Sequence, residues 1–451
     1  MGDTKNIAFI WIAGLAVTTA VIIALAITVL LYRNTEVNNG AGPATVVVQM
    51  LEGPECDAMV PTADFWNQHY ATATGTRIQV VALDRTGYFD KLEMQLIAGE
   101  STPDIIHPFS IHLARIRPYL EPLEPFLQDQ AIMTDPDGKA LSLDAVLPVA
   151  MDTVRSEDGK IYMLPTDMSE VLLFYRQDLI KTPPGTWDDF VRLAKRYTRT
   201  INPDSPTQYG IVLQGKYETW AFCSALENIL PYGIDPFNVS SEDDINLLTK
   251  SLQPFEDLAA AKAFPPETVN AEYSKVAAMI KSGEVAMALQ WNAFYQDLRN
   301  PESSPKVYDK VDVAPPPGIR QEDGTIKRSL YVHTINLALN RHSRHKQKAM
   351  MFMTWATLGE GAWVYARAGG SSPLAEIWDN DKISDLYPRL APWLAAHGQS
   401  PTPHKQLTKM MMAGSGWIQR MIAGDLTVEQ AAQGIAAEMK RLRSSEPEAD
   451  R

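Results

Sequence analysis

Residues Gly159 to Asp178, GKIYMLPTDMSEVLLFYRQD, constrain the fold more than any other stretch of the chain. A turn pair, Asp158-Gly159, leads into a short β-type run from Ile161 to Leu164, and Pro165 is expected to break it. A polar bridge of Thr166, Asp167, Ser169 and Glu170 precedes a second apolar run, Val171 to Tyr175, which ends on Arg176 and Asp178. Two strand-like runs joined in this way suit a segment that crosses from one globular half to another. The following TPPGTWDDFVRLAKRYT stops one element at Pro183 and Pro184 and starts a helix capped by Thr186. Asp188 and Asp189 fall in its first turn, where carboxylates favour the positive end of the helix dipole. A crossing strand requires two halves, and two halves leave a cleft.

The length fits, since 451 residues exceed one ordinary domain. A net charge of −13 repels nucleic acid and anionic lipid, so neither is expected as a partner of the folded part. Cys56 and Cys223 are the only cysteines, which excludes a disulfide framework and a C-x-x-C metal or redox site while leaving their pairing open.

Ile7 to Tyr32 carries no charge; as a helix it would run about 39 Å, enough to span a hydrocarbon core of roughly 30 Å with some tilt. It exceeds the apolar part of a usual signal peptide, and no small-x-small cleavage signal or lipid-accepting cysteine follows. The expectation is an uncleaved anchor over 7–32, preceded by a tail at 1–6 and followed by a polar tether over 33–44. Lys5 and Arg33 nearly balance across it, so charge hardly sets its orientation.

Beyond the tether, strand and helix alternate with short turns. The strands are Val46 to Val48, Arg77 to Leu83 and Pro103 to Ile106; the helices are Pro61 to Tyr70 and Gly87 to Ala98. The pattern is that of an α/β fold with an open parallel sheet, whose ligands sit beyond the carboxyl ends of the strands. Glu52, Tyr88 and His107 to Ser110 therefore gather at one rim. Later strands are Tyr209 to Leu213, Val285 to Gln290 and Tyr331 to Leu339. Helices follow from Ala221, Tyr273, Arg344, Gly359 and Leu426, and Gly369-Gly370 forms a turn with exposed backbone donors.

No nucleophile elbow, phosphate loop, dinucleotide fingerprint or H-E-x-x-H is present, and no cofactor, metal or catalytic residue is expected. The Asp135-Pro-Asp137-Gly138 segment mimics part of a calcium loop but has Lys139 where an oxygen ligand belongs, so it reads as a turn. His342 and His345 read as solvated residues at a helix start. Aromatics are the remaining signal. Tyr217, Trp220, Trp291 and Tyr331 stand at loops or strand ends beside Gly, Glu and Asn, the residue types that stack on sugar rings and bond their hydroxyls.

From Val46 to Leu442 the sequence resembles the family 1 extracellular solute-binding proteins, the receptors of carbohydrate-importing ABC transporters. The resemblance is carried by TGTRIQVV, YFDKLEMQLIAGESTPDII, LEPLEPFL, the crossing segment with PPGTWDDF, IKSGEVAMALQW, WATLGEGAWVYARAGG and IAGDLTVEQAAQGIAAEM. It implies two α/β lobes, 45–168 with 313–357 and 169–312 with 358–442, joined by hinge crossovers and followed by a polar tail at 443–451. It implies ligand contacts at Glu52, Gly53, His107, Phe109, Ser110, Asp167, Ser169, Tyr217, Trp220, Trp291 and Asn292. Tyr88, Tyr331, Gly369 and Gly370 complete the candidate set. Members often have two glycines where this chain has Leu330-Tyr331, so the pocket is expected to be remodelled there. The implied function is reversible binding of a carbohydrate or related polyol, without catalysis, and delivery to ABC permease subunits from the outer side of the cytoplasmic membrane. A ligand-sensing subunit and a membrane-anchored glycan-degrading enzyme are the alternatives.

Overall fold

The computed structural model describes residues 43–444 apart from 85–86 and 401–403. The expected anchor at 7–32, the tail at 1–6, nearly all of the tether and most of the C-terminal tail lie outside the described residues. Among the described residues no helix is long and apolar enough to cross a membrane.

The first strand, β1 (Ala44–Leu51), pairs in parallel with β2 (Thr76–Leu83) along its whole length. Between them α1 (Pro54–His69) starts almost at once, because Pro54 sits where a helix has no use for its N–H, and Glu55 and Asp57 occupy the positive first turn. Pro61, the expected helix start, lies inside it. Gly53 makes this junction with φ 144°, a region closed to side-chain-bearing residues. Next come α2 (Tyr88–Ile97) and the short β3 (Ile105–Ile106), parallel to β1.

The organising segment is one strand, β4 (Met163–Arg176), in place of the two runs expected either side of Pro165. It is followed by α3 (Trp187–Arg196), β5 (Tyr209–Val212), α4 (Trp220–Ile229), α5 (Glu242–Ala260), α6 (Tyr273–Ser282), β6 (Val285–Trp291), β7 (Val311–Ala314) and β8 (Leu330–Leu339). The spatial order is β2-β1-β3-β8-β4-β6-β5, with β7 also on β4. The N-terminal half of β4, up to Glu170, pairs with β8, and its C-terminal half, from Val171, pairs with β6 and β7. Two half-sheets thus share one continuous strand, giving a two-lobed α/β architecture. Proline survives within β4 because the register slips there: Ile335 faces Asp167 but Asn336 faces Pro165, leaving Thr166 as the extra residue of a bulge. Asn336 turns its N–H to the Pro108 carbonyl instead, 3.0 Å away.

After β8 the chain forms α7 (Lys346–Leu358), α8 (Glu360–Arg367), α9 (Leu407–Ala423) and α10 (Val428–Ser444). Trp66 of α1 meets Phe352 and Trp355 of α7 at ring separations of 5.6 and 5.1 Å, and its indole donates to the Thr76 carbonyl at 2.9 Å. Tyr365 of α8 is buried in that same aromatic core, and the chain beyond α8 packs against elements of the second half. There Tyr295 donates to Asp385 at 2.8 Å and Arg389 pairs with Asp312 at 2.9 Å. Cys56 and Cys223 are both buried and unpaired. The calcium-like segment is a turn in which Asp135 accepts from the N–H groups of Asp137 and Lys139.

Because the bulge relieves Pro165 of any ladder bond, Pro165→Ala is expected to cost less than about 1 kcal/mol, the unfolded-chain entropy alone. Urea denaturation giving a loss above about 2 kcal/mol would show that the ring itself packs against something essential.

Candidate ligand cleft

Where the two half-sheets meet, a cavity is walled by Pro54 and Glu55 at the start of α1, Phe109 after β3, Ser169 of β4, His333 and Ile335 of β8, Trp291 and Ala293 at the end of β6, Trp220 at the start of α4 and Tyr273 at the start of α6. The two halves therefore supply opposite walls. The space between them is about 20 Å³, room for roughly one water molecule.

Each wall residue has a local cause. Antiparallel pairing sets His333 directly across from Ser169, and period-two alternation turns Ile335 to the same face. His333 packs edge-on to Trp291 at 4.7 Å and lies 5.5 Å from Phe109, so three rings from three elements fix one another. The Trp220 indole donates to Glu218 at 2.9 Å, and Glu218 is one of only two described non-glycine residues with positive φ, at 83°. Tyr273 is held through its carbonyl by Gln290 Nε2 at 2.9 Å, and Gln290 in turn accepts from Gln214 at 2.8 Å. Lys216 joins these two entries, reaching Glu218 at 3.4 Å and Glu272 at 3.3 Å.

The interior around the cavity holds an unusual number of polar atoms without a protein partner. Asp167, 2% exposed, accepts from Tyr365 Oη at 2.9 Å and from the Ser371 N–H at 2.7 Å through Oδ2, but Oδ1 has none. Both oxygens of Glu170, one of Glu227, both ring nitrogens of His107, and Nδ1 of His112 and His333 are likewise buried and unpartnered. Burial pushes the Asp167 carboxyl up, and Glu55 adds to the effect. It pushes Glu170 and Glu227 well above the usual carboxylate range, with Asp167 acting on Glu170 and Glu170 on Glu227. The same burial holds His107, His112 and His333 down at about 3, so all three are neutral at pH 7. Native interiors rarely leave such groups unmatched, and clusters of them mark places built for a polar guest.

Of the residues named from sequence, Phe109, Ser169, Trp220 and Trp291 line the cavity, and Asp167 lies in the strand that forms its floor. His107 is buried with both nitrogens unmatched, Gly53 precedes the wall residues Pro54 and Glu55, and Glu52 remains exposed. The others are occupied elsewhere. Tyr88 is fully buried and donates to the Gln49 carbonyl at 3.1 Å, because the apolar face of α2 points into the core. Ser110 accepts from the Thr334 N–H at 3.3 Å. Asn292 clamps the crossing strand: its Nδ2 donates to the Met168 carbonyl at 3.0 Å and to Ser371 Oγ at 3.1 Å, and its Oδ1 accepts from the Glu170 N–H at 3.3 Å. Tyr217, 46% exposed, lies in a separate surface groove with Trp417 and Gly416. Tyr331 is buried behind His333 with its N–H on Glu227. The donors of Gly369 and Gly370 are spent on Ala366 and Tyr365, closing α8, and a Cβ on Gly370 would strike the Tyr365 ring. Sequence reasoning missed Glu55, Glu170, Tyr273, His333 and Ile335. The alternation Tyr331-x-His333-x-Ile335 was the available signal for two of them.

The model of the bacterial extracellular solute-binding proteins matches residues 57–363. The chain belongs to that family. Its members are binding proteins, not enzymes. A probable amino-acid ABC transporter periplasmic-binding protein of Sinorhizobium fredii is 22% identical over 64% of this chain, and the match spans 64% of that protein, just under two thirds of its length. An arabinooligosaccharide-binding protein of Bacillus subtilis is 23% identical over 71% of both chains. Among solved structures, an ABC transporter solute-binding protein from Agrobacterium radiobacter in complex with ribitol superposes with a TM-score of 0.74 at 19% identity, covering 89% of this chain and 99% of that one.

The buried carboxyls make stability depend on pH with a definite sign. A carboxyl whose folded pKa is raised keeps its proton when the unfolded chain has lost it, so folding is weakened as pH rises past the unfolded value. Relative to Glu170→Gln, the natural protein is therefore expected to lose stability as pH rises above about 5, by up to about 1.4 kcal/mol per pH unit. Parallel pH profiles of chemical denaturation for the two proteins would show that Glu170 is ionised in the fold.

Proposed function

We propose that this protein is the extracytoplasmic binding component of an ABC importer, taking a carbohydrate or related polyol into the cavity at the crossing strand and delivering it to permease subunits. The observation that carries this reading is the cavity itself. It lies between two half-sheets, is walled by Phe109, Trp220, Tyr273 and Trp291, and is backed by buried carboxyl and imidazole groups that each keep at least one polar atom without a protein partner. Aromatic faces cover the C–H patches of a sugar ring, while carboxyl, imidazole and hydroxyl groups exchange bonds with its hydroxyls. The arabinooligosaccharide-binding relative and the ribitol-bound neighbour support this ligand class.

In this reading the two halves open about the switch from Glu170 to Val171 and close on the ligand, whose contacts with both walls exist only in the closed form. Micromolar affinity, about −8 kcal/mol, holds a nutrient and still lets it go. The segment 7–32 anchors the protein beside the permease and keeps its local concentration high. The ligand contacts assigned are Glu55, Phe109, Asp167, Ser169, Trp220, Tyr273, Trp291 and His333.

The test is calorimetric titration with neutral sugars and polyols, beginning with mannitol, ribitol and maltose, on the natural protein and on Trp291→Ala and His333→Ala. Each substitution is expected to weaken the best ligand by at least about tenfold, or about 1.4 kcal/mol. Affinities unchanged within about 0.5 kcal/mol in both would remove the cavity as the binding site.

A further inference from the structure

A groove on the outer side of the second half plays no part in the cleft. It runs along α9 beside the last turns of α10, has a volume of about 620 Å³, and is lined in part by Tyr217, Trp417, Lys409, Arg420 and Arg441. Among the described residues its lining holds one acid, Glu438, and Arg441 already pairs with it at 2.8 Å. Arg420 lies over the Trp417 ring, 5.2 Å from its centre. Among the described residues no carboxylate pairs with Lys409 or Arg420. The chain carries a net charge of −13, so this gathering of cations runs against its overall sign.

The opposite charge follows directly in the sequence. The helix α10 ends at Ser444, two residues past Leu442, itself part of the lining, and the chain continues Ser-Glu-Pro-Glu-Ala-Asp-Arg over 445–451. Pro447 is unsuited to carrying the helix further and suits a change of direction just beyond its end. Glu446, Glu448 and Asp450 alternate, so an extended segment turns all three to one side. As a strand these acids span about 14 Å. Lys409 and Arg420, eleven residues apart on α9, span about 16 Å along the helix. The two rows therefore match in sign and in length. We infer that residues 445–451 fold back from the end of α10 and lie in this groove, with their acids against Lys409, Arg441 and Arg420. Attachment to α10 makes the contact intramolecular, so ion pairs that are individually weak suffice. The seated tail covers Tyr217, whose neighbours Lys216 and Glu218 hold the starts of α6 and α4. It thereby braces the loop on which Trp220 of the cavity wall depends.

A fluorescent reporter on the tail reads its position. Cys56 and Cys223 are buried, so in the full-length chain bearing Ala449→Cys a bimane reagent labels the tail. Tryptophan quenches bimane at close range, and the same label is compared in a chain that also carries Trp417→Phe. With Trp417 present the label is expected to be at least about twofold dimmer, an effect lost in about 0.5 M sodium chloride. Glu446→Gln, Glu448→Gln and Asp450→Asn together are expected to restore the brightness. Should Trp417→Phe fail to melt cooperatively, the neutral tail decides alone. Equal brightness with acidic and neutral tails would overturn the inference. Quenching that grows with protein concentration would also overturn it, by giving the groove to the tail of a second copy. Deleting residues 445–451 is expected to speed amide hydrogen exchange over 216–219 at least about threefold. Unchanged exchange there would overturn the bracing of that loop.

Discussion

The cavity exists because one strand keeps its backbone hydrogen bonds while its partners change. Residues Met163 to Arg176 run without a break, yet their first half belongs to the sheet of β1, β3 and β8 and their second half to that of β5, β6 and β7. All but the last residue of the strand are buried, so its peptide groups have to be satisfied on both sides of the switch. Asn292 does this at the switch itself, reaching Met168, Glu170 and Ser371 with one amide. The amide replaces ladder bonds that neither half-sheet can supply there. The result is one continuous floor whose walls are carried on the rims of two half-sheets.

The polar interior shows what such a site costs the folded state. An unmatched buried donor or acceptor forfeits about 1 to 3 kcal/mol, and the region around the cavity holds several, on His107, Asp167, Glu170, Glu227 and His333. A positive φ at Glu218, beside Trp220, adds local strain. Large aromatic cores offset this burden away from the cleft. The Trp66, Phe352 and Trp355 cluster stabilises the first half by tight packing among residues that do not line the cavity.

Elements defined by apolar periodicity were legible in the sequence: the β1 valines, the apolar face of α2 and the strand Val285 to Gln290 all stand where the spacing puts them. Pro165 was misread because a proline signals a break unless a bulge absorbs it, and a bulge depends on the partner strand, which no local window contains. The lining of the cavity was legible only where loops leave strand ends, as at Phe109 and Trp291. His333 and Glu170 look like ordinary strand residues, and only the pairing of β8 with β4 brings them to the centre of the molecule. Tyr217 failed for the opposite reason. Its neighbours Lys216 and Glu218 are tied to the starts of α4 and α6, but Tyr217 itself turns to an outer groove against α9 and α10. Composition of the neighbourhood records exposure, not direction.

The cavity's small size has a kinetic corollary. A space of about 20 Å³ has no room for a molecule as large as a monosaccharide while the rings stand where they do. If a ligand is taken up here as proposed, its entry and departure both require the rims to separate, so residence time would be set by how often the shell unlatches and not by the strength of any one contact. Changes at the hinge, remote from every wall residue, would tune that clock while leaving the chemical fit untouched.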